Sequence, residues 1–384
     1  MIASMDITEI LAALVAHACL PGQSNAPIAQ WIAAYLAEQG VACTVLPGPE
    51  GDRVNLFATI GPRDVPGYVL SGHMDVVPVA GQAWTSDPFR LTEREGRLVA
   101  RGASDMKGFL ACVLAMVPEF SAATLRRPVH LAFSYDEEIG CRGVGHMIAR
   151  LPGLCAPPRG CIVGEPSGMR PVLSHKGKQA LELVIEGQAG HSADPAQGLN
   201  ALYPAATLLA FMRQEAARLQ AEGPFDARFH PAYPTLVAGV IRGGTAVNII
   251  PDRCSIEIEA RSIPGHAPQL VTLPVLERLA ALAESGEASS VSHRELSAYP
   301  ALPPPEDAAL ADLLARLTGQ APVASVSFGT EAGLFAAAGI PAIICGPGDI
   351  ARAHRADEYI LPAELDSCRA MLRALAAELA GEPA

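Results

Sequence analysis

Four short apolar runs in this chain are each followed, at once or after a brief turn, by a histidine or a carboxylate. Tyr68 to Ser71 leads into Gly72-His73-Met74-Asp75. Val129 to Ser134 leads into Asp136-Glu137-Glu138. Ile162-Val163 leads into Gly164-Glu165-Pro166, and Ala342 to Cys345 leads through Gly-Pro-Gly to His354. A fifth segment, the turn Arg101-Gly102, delivers Ser104-Asp105 to a helix start. Runs this short read as buried strands. In open α/β sheets, ligand groups collect beyond the carboxyl ends of the strands. The pattern therefore predicts one sheet whose strand ends bring two histidines and several acids to a common edge.

Helical patterns lie between the runs. Ile10, Leu11, Leu14, Val15 and Ala18 share one helical face behind Asp6 and Glu9, which read as a capping box. Ser24 to Gly40 has a cap-like start and a Gly stop, and Met106 to Phe120 reads as one helix. This alternation predicts an α/β catalytic domain with a mixed, largely parallel sheet flanked by helices. The middle of the chain differs. Strands at Ala180–Glu186, Thr235–Ile241, Cys254–Arg261 and Ser289–Leu296 alternate with helices at Leu199–Gln220 and Gln269–Glu284 in the order β-α-β-β-α-β. That order is a split-βαβ, ferredoxin-like α+β domain. Helix and strand return afterwards: Pro303–Glu306 starts a helix, Pro341–Cys345 is a strand and Glu364–Leu379 a final helix. The expected boundaries are 1–176 and 293–384 for a discontinuous catalytic, metal-binding domain, with 177–292 inserted.

Composition excludes several partners. The formal net charge is -12, from 40 acids against 28 bases, which disfavours nucleic acid and permits an acidic, cation-attracting site. No apolar run approaches the ~20 residues of a membrane span. Nine scattered cysteines without a CxxC pair read as reduced thiols of a cytoplasmic protein. A dinucleotide-binding oxidoreductase lacks its GxGxxG after the first strands.

Two histidines and several carboxylates on one edge suit Zn²⁺, with Co²⁺ or Mn²⁺ also compatible. A carboxylate shared by two ions would make a two-metal site. Singly, each residue has a plainer reading. Asp105 caps its helix, Glu165 is a turn acid, His354 is a solvated loop histidine, and His73 is a satisfied buried imidazole. Asp136 to Glu138 is a loop tip, and Cys141 is a buried thiol. The repetition at the ends of apolar runs is what favours the metal reading.

The segments SGHMDVVPV with Trp84 and Pro88-Phe89, RGASDMKG, SYDEEIG, VGEPS, GHSA, NIIPD and CGPGDIARAH occur in order between residues 71 and 354. Together they resemble the co-catalytic zinc exopeptidase and deacylase superfamily, and within it the acetylornithine deacetylase branch. The resemblance implies His73 and Glu165 on one metal ion, Glu138 and His354 on the other, and Asp105 bridging. It implies Asp75 as the acid that orients His73, and Glu137 as general base. The inserted domain is implied to be a lid that pairs with its copy in a homodimer, where His191 stabilises the oxyanion across the interface. Asn248 and Arg261 match lid residues that hold a substrate carboxylate, although Arg261 also reads as a polar-face residue of its strand. Thr330-Glu331 matches a Gly-Thr-Glu-Ala segment suited to a cationic side chain, and Glu331 also reads as a helix cap.

The function implied is metal-dependent hydrolysis of N-acetyl-L-ornithine to L-ornithine and acetate, a step of arginine biosynthesis. The alternatives within that chemistry are an N-acetylcitrulline or broad N-acyl-amino-acid deacylase, a succinyl-diaminopimelate desuccinylase, and a dipeptidase. A non-catalytic binder would lack a ligand or the base, and here every such position is filled.

Overall fold

Strands buried on both faces need continuous apolar runs and helices to cover them. The computed structural model, which describes residues 5–381, meets that demand with a six-stranded sheet. Tyr68–His73 pairs parallel with Val129–Ser134 on one side and Gly160–Pro166 on the other, and Ala342–Gly346 adds a further parallel strand. Every residue of Val129–Ser134, Gly160–Pro166 and Ala342–Gly346 is buried. The four apolar runs are thus parallel neighbours, and their carboxyl ends lie on one edge. Cys43–Pro47 and Val54–Ile60 complete the sheet as antiparallel strands that the sequence analysis does not place.

Local chemistry sets the flanking helices. Asp6 and Glu9 form the expected capping box of Ile7–Val15, each side chain accepting the other's backbone N–H at 2.8 Å. Ala18 lies beyond that helix. Lys107–Ala115 is buried on nearly every side, as its apolar run from Phe109 to Ala115 requires. The single helix expected over Met106 to Phe120 is two, and Val117–Ala122 starts afresh with Pro118 in its first turn. Proline has no N–H to continue the first helix. The helix expected from Pro303 begins at Ala309 instead, because consecutive prolines push the preceding residues out of the helical region. These helices and Pro362–Ala380 share one hydrophobic core with the sheet.

The chain divides into two compact units. The first runs to Ser174 and resumes over Pro304–Ala324 and from Thr330. The second comprises His175–Pro303 and Ser325–Gly329. Residue 292 therefore does not close the second unit. The strand that starts there runs over Ser290–Tyr299 and stays paired with Gly177–Glu186, past a register shift between Glu295 and Ser297. Most of its first half is polar and exposed, so apolar periodicity marks it only weakly.

In the second unit an antiparallel sheet orders Thr235–Gly243, Arg253–Ser262, Gly177–Glu186 and Ser290–Tyr299. Ile256, Ile258 and Ala260 are buried while Glu257, Glu259 and Arg261 between them are not, which is the expected two-residue alternation. The buried face packs against Leu202–Glu222 through Ala205, Leu208 and Met212, and against Pro268–Glu284 through Val275 and Leu279. All nine cysteines are free thiols. Among the described residues no helix is long and apolar enough to cross a membrane.

His130, on Val129–Ser134, is buried, stacks on Phe57 at 5.5 Å and meets Thr59 Oγ1 at 3.0 Å. Burial, and then the charge of Arg63, pull its pKa from 6.5 down to about 4. The neutral form is the one that fits the fold, so the contribution is present above pH 6.5 and is lost as pH falls toward 4. We expect His130→Gln to remove an acid-dependent loss of roughly 3 kcal/mol. Urea unfolding of both proteins between pH 7 and 4 checks this, and parallel stability curves would refute it.

Candidate metal centre

The strand ends deliver what the sequence predicts. His73 is the last residue of Tyr68–His73, and Glu165 lies near the end of the adjacent Gly160–Pro166. The Nδ1 of His73 lies 2.9 Å from the Asp75 carbonyl oxygen. A carbonyl only accepts, so Nδ1 carries the proton and Nε2 faces the acids. That Nε2 lies 3.2 Å from Asp105 Oδ1 and 3.6 Å from Glu165 Oε1. The other oxygen of Asp105, Oδ2, lies 3.2 Å from His354 Nε2, which also lies 3.1 Å from Glu138 Oε2. One carboxylate thus faces two imidazoles with a different oxygen for each.

The plainer readings meet specific obstacles. Asp105 does not cap the following helix, whose N-cap is Met106 without a side-chain hydrogen bond. Glu165 is buried rather than a turn acid. Asp136 is no solvated loop acid: it is buried, pairs with Arg53, and accepts the Gly22 N–H at 2.8 Å. His354, in the left-handed region at φ 61°, keeps a side chain that is 54% exposed yet faces two carboxylates.

Asp75 organises the acidic turn. Its two oxygens accept the backbone N–H groups of Glu137 and Glu138, each at 3.1 Å. Cys141, which the sequence analysis takes as a plain buried thiol, donates from Sγ to Glu137 Oε1 at 3.2 Å. No spacing rule points to that contact, because it depends on a left-handed residue at Cys141.

The electrostatics are those of crowded, dry acids. Burial, opposed by His73 and assisted by Glu138, pushes Glu137 up to about 8. Burial and Asp105 push Glu138 up to about 7, and the same two causes raise Glu165 well above the ordinary carboxylate range. Burial works against ionisation of Asp105 too, but the hydrogen bonds from His354 and His73 overcome it and hold the group low. The hydrogen bonds to Asp105 and Glu138 raise His354 to about 10.

The donor set fits divalent cations. Ligand atoms of His73, Asp105 and Glu138 lie within 4.8 Å of one another, as do those of His73, Glu137 and Glu165. Glu138 Oε1 is buried with no hydrogen-bond partner, which a cation would supply. These groupings cut across the expected pairing of ligands, and they include Glu137.

Thr330 and Glu331 also lie in the first unit. Thr330 Oγ1 accepts the Ala332 N–H at 3.1 Å. Glu331 makes no side-chain cap of its helix. It is buried, accepts from Ser71 Oγ at 3.1 Å, and accepts with its other oxygen from Ser134 Oγ. Burial raises it to about 7.

In the second unit the structure brings His191 and Asn248 together. Gly190–His191 pairs with Ile249–Ile250, and Ser192 N–H donates to the Asn248 carbonyl at 3.1 Å. His191 is exposed, and its Nδ1 accepts the Ala193 N–H at 3.0 Å. Arg261 is partly buried and held by Glu259 at 2.7 Å and the Tyr299 hydroxyl at 2.9 Å.

Residues 69–378 match the model of peptidase family M20/M25/M40. An acetylornithine deacetylase of Myxococcus xanthus is 35% identical over 97% of this chain and 97% of its own length. Among solved structures, an M20 family metallo-carboxypeptidase of Sulfolobus solfataricus superposes with a TM-score of 0.78, at 19% identity, over 98% of this chain and 99% of that one. The Bacillus subtilis YXEP protein, described as a dinuclear metal-binding peptidase of the M20 family, superposes with a TM-score of 0.64 at 16% identity, covering 97% of this chain and 98% of that one. At those identities the two structures speak for the fold alone, while the family match and the deacetylase relative reach further. With an imidazole–carboxylate centre at the ends of its parallel strands, the chain belongs to peptidase family M20/M25/M40 and is a metal-dependent hydrolase.

Proposed function

We propose that this protein hydrolyses the amide of an N-acyl amino acid, with N-acetyl-L-ornithine as its substrate and L-ornithine and acetate as products. The observation that carries this reading is Asp105, whose two oxygens each lie 3.2 Å from a different imidazole. The Myxococcus xanthus acetylornithine deacetylase supports the choice of substrate.

His73 and Glu165 would hold one divalent cation and Glu138 and His354 the other, with Asp105 between them. Zn²⁺ suits this set best, with Co²⁺ and Mn²⁺ compatible. A dinuclear centre is also described for the Bacillus subtilis YXEP protein. Cations bound there supply Lewis-acid charge to the amide carbonyl and to the attacking water.

The remaining work falls to side chains. Glu137 takes the proton of the attacking water and hands it to the leaving amine. The Cys141 thiol occupies Oε1 of Glu137 and leaves Oε2 to act as the base. Asp75 keeps His73 in the tautomer that points Nε2 inward. His191, accepting a backbone N–H on Nδ1, carries its own proton on Nε2, a donor suited to an oxyanion. Asn248 and Arg261 hold the substrate carboxylate, for which a guanidinium fork is well shaped.

His191 would act in the site of a second copy, in a homodimer formed through the inserted unit. Tyr203, Val237, Ile241 and Val247 expose apolar surface on that unit, which supports such a pairing. The setting we propose is the cytoplasm, in the synthesis of arginine.

One observation favours a broader N-acyl-amino-acid deacylase. Glu331, expected to meet a cationic side chain, is buried with both oxygens engaged by serines. Steady-state kinetics of wild type and Glu331→Gln on N-acetylornithine, N-acetylcitrulline, N-acetylmethionine, N-succinyl-diaminopimelate and a dipeptide separates the readings. A selective loss on N-acetylornithine assigns charge recognition to Glu331. Equal losses on cationic and neutral substrates remove that role.

Glu137→Gln is expected to lower kcat by ~10²–10⁴ while the bound metal, measured by elemental analysis, stays the same. Loss of metal together with activity would make Glu137 a ligand and not the base.

A further inference from the structure

The guanidinium of Arg101 is fully buried and reaches out in two directions. Nη1 donates to Glu358 Oε2 at 2.6 Å, and Nη2 donates to Gln82 Oε1 at 2.5 Å. Its Cζ lies over the Trp84 ring, 5.0 Å from the centroid. Each arm ends on the backbone of one ligand candidate. On the first, Glu358 Oε1 accepts the N–H groups of Ser104 at 2.9 Å and Asp105 at 3.0 Å. On the second, Gln82 Nε2 donates to the His354 carbonyl at 3.0 Å. The orientation of the Gln82 amide follows from its neighbours. Its oxygen receives two donors, Arg101 and the Trp84 indole N–H at 3.1 Å, and its nitrogen faces a carbonyl.

His354 needs such support more than the other ligand candidates. His73 and Glu165 stand at strand ends inside the parallel sheet and are buried. His354 stands on a turn, in a left-handed conformation, with its side chain 54% exposed. The segment after it is fastened to the same stretch again, where Asp357 accepts from the N–H and the hydroxyl of Thr85, both at 2.9 Å. A buried guanidinium persists only when it is paired and hydrogen-bonded, so the two arms hold each other in place.

We propose that Arg101 is a positioning residue which, through Gln82 and Glu358, holds His354 and Asp105 at the spacing that one of the two cations requires. The arm through Gln82 reaches only the cation that Asp105, Glu138 and His354 would hold, whereas the arm through Glu358 reaches Asp105, which both cations would share. The proposal rests on the two-cation reading given above.

The test is titration of the metal-free protein with Co²⁺, followed by calorimetry and by the visible absorption of the bound ion. Wild type is compared with Gln82→Ala, which removes a partly exposed side chain, and with Arg101→Lys, which keeps the charge but loses the fork. We expect two classes of site in wild type. In Gln82→Ala one class should weaken by ~10–100-fold with a changed visible spectrum while the other keeps its affinity, and in Arg101→Lys that same class should weaken at least as much. The melting temperature of metal-free Gln82→Ala should match that of wild type. Two unchanged affinities would overturn the brace. So would a fall in both affinities in step with the melting temperature, which is the mark of a merely structural role. Wild-type protein that binds no Co²⁺ would remove the two-cation reading itself, whereas unchanged variants beside a two-site wild type remove only the brace.

Discussion

Asp105 is the residue around which the first unit is arranged. A carboxylate can serve two partners at once only if each oxygen meets its own, and here each meets an imidazole at 3.2 Å. That demand fixes the two histidines on opposite sides of one acid. It explains why His73 comes from a strand end in the middle of the sheet, while His354 comes from the turn region after the strand Ala342–Gly346. It also explains why the backbone at Asp105 is anchored to Glu358, since a bridging group that could slide would lose one partner as it gained on the other.

The three successive acids of the turn after Val129–Ser134 resolve through their directions. Asp136 adopts φ 53°, the left-handed region, which turns its side chain to Arg53 and the Gly22 N–H. Glu137 and Glu138 give their backbone N–H groups to Asp75 and send their carboxyls elsewhere, one to Cys141 and one to His354. Adjacent like charges repel strongly where water is scarce. The chain answers this with separate partners, and the raised pKa values of Glu137 and Glu138 record what repulsion and burial remain.

What the sequence made legible was the part governed by local pattern. Continuous apolar runs marked the strands buried on both faces, and the polar residues that follow them marked the edge. What stayed hidden depended on distant pairing or on backbone handedness. Cys43–Pro47 escaped because an edge strand with a partly exposed burial pattern carries a weak apolar signal, and Val54–Ile60, although buried between two strands, has its apolar run broken by Asn55 and Thr59. Arg53 and Asp136 are far apart in the chain, so neither announces the other. Arg101 opens the RGASDMKG segment and Glu358 lies past the last recognisable segment, and their mutual ion pair is a product of the fold. Ser290–Tyr299 outlasts the expected Leu296 because its ladder continues past a register shift between Glu295 and Ser297, which depends on the pairing with Gly177–Glu186 and leaves no local mark.

The centre is also lopsided in its exposure, and that has a chemical use. Side chains of His73, Asp105, Glu165 and Glu138 are between 1% and 7% exposed, whereas that of His354 is 54% exposed. Dry walls strengthen every interaction between these groups and fix their geometry in advance of reaction. A hydrolase must nonetheless admit water and a polar amide, and it can do so only where the wall is thin. His354 is that thin place in the first unit, which makes it the ligand candidate with the least packing to hold it. A group in such a position is best held by its backbone, where a hydrogen bond restrains it without covering its imidazole. The bond from Gln82 to the His354 carbonyl is of that kind.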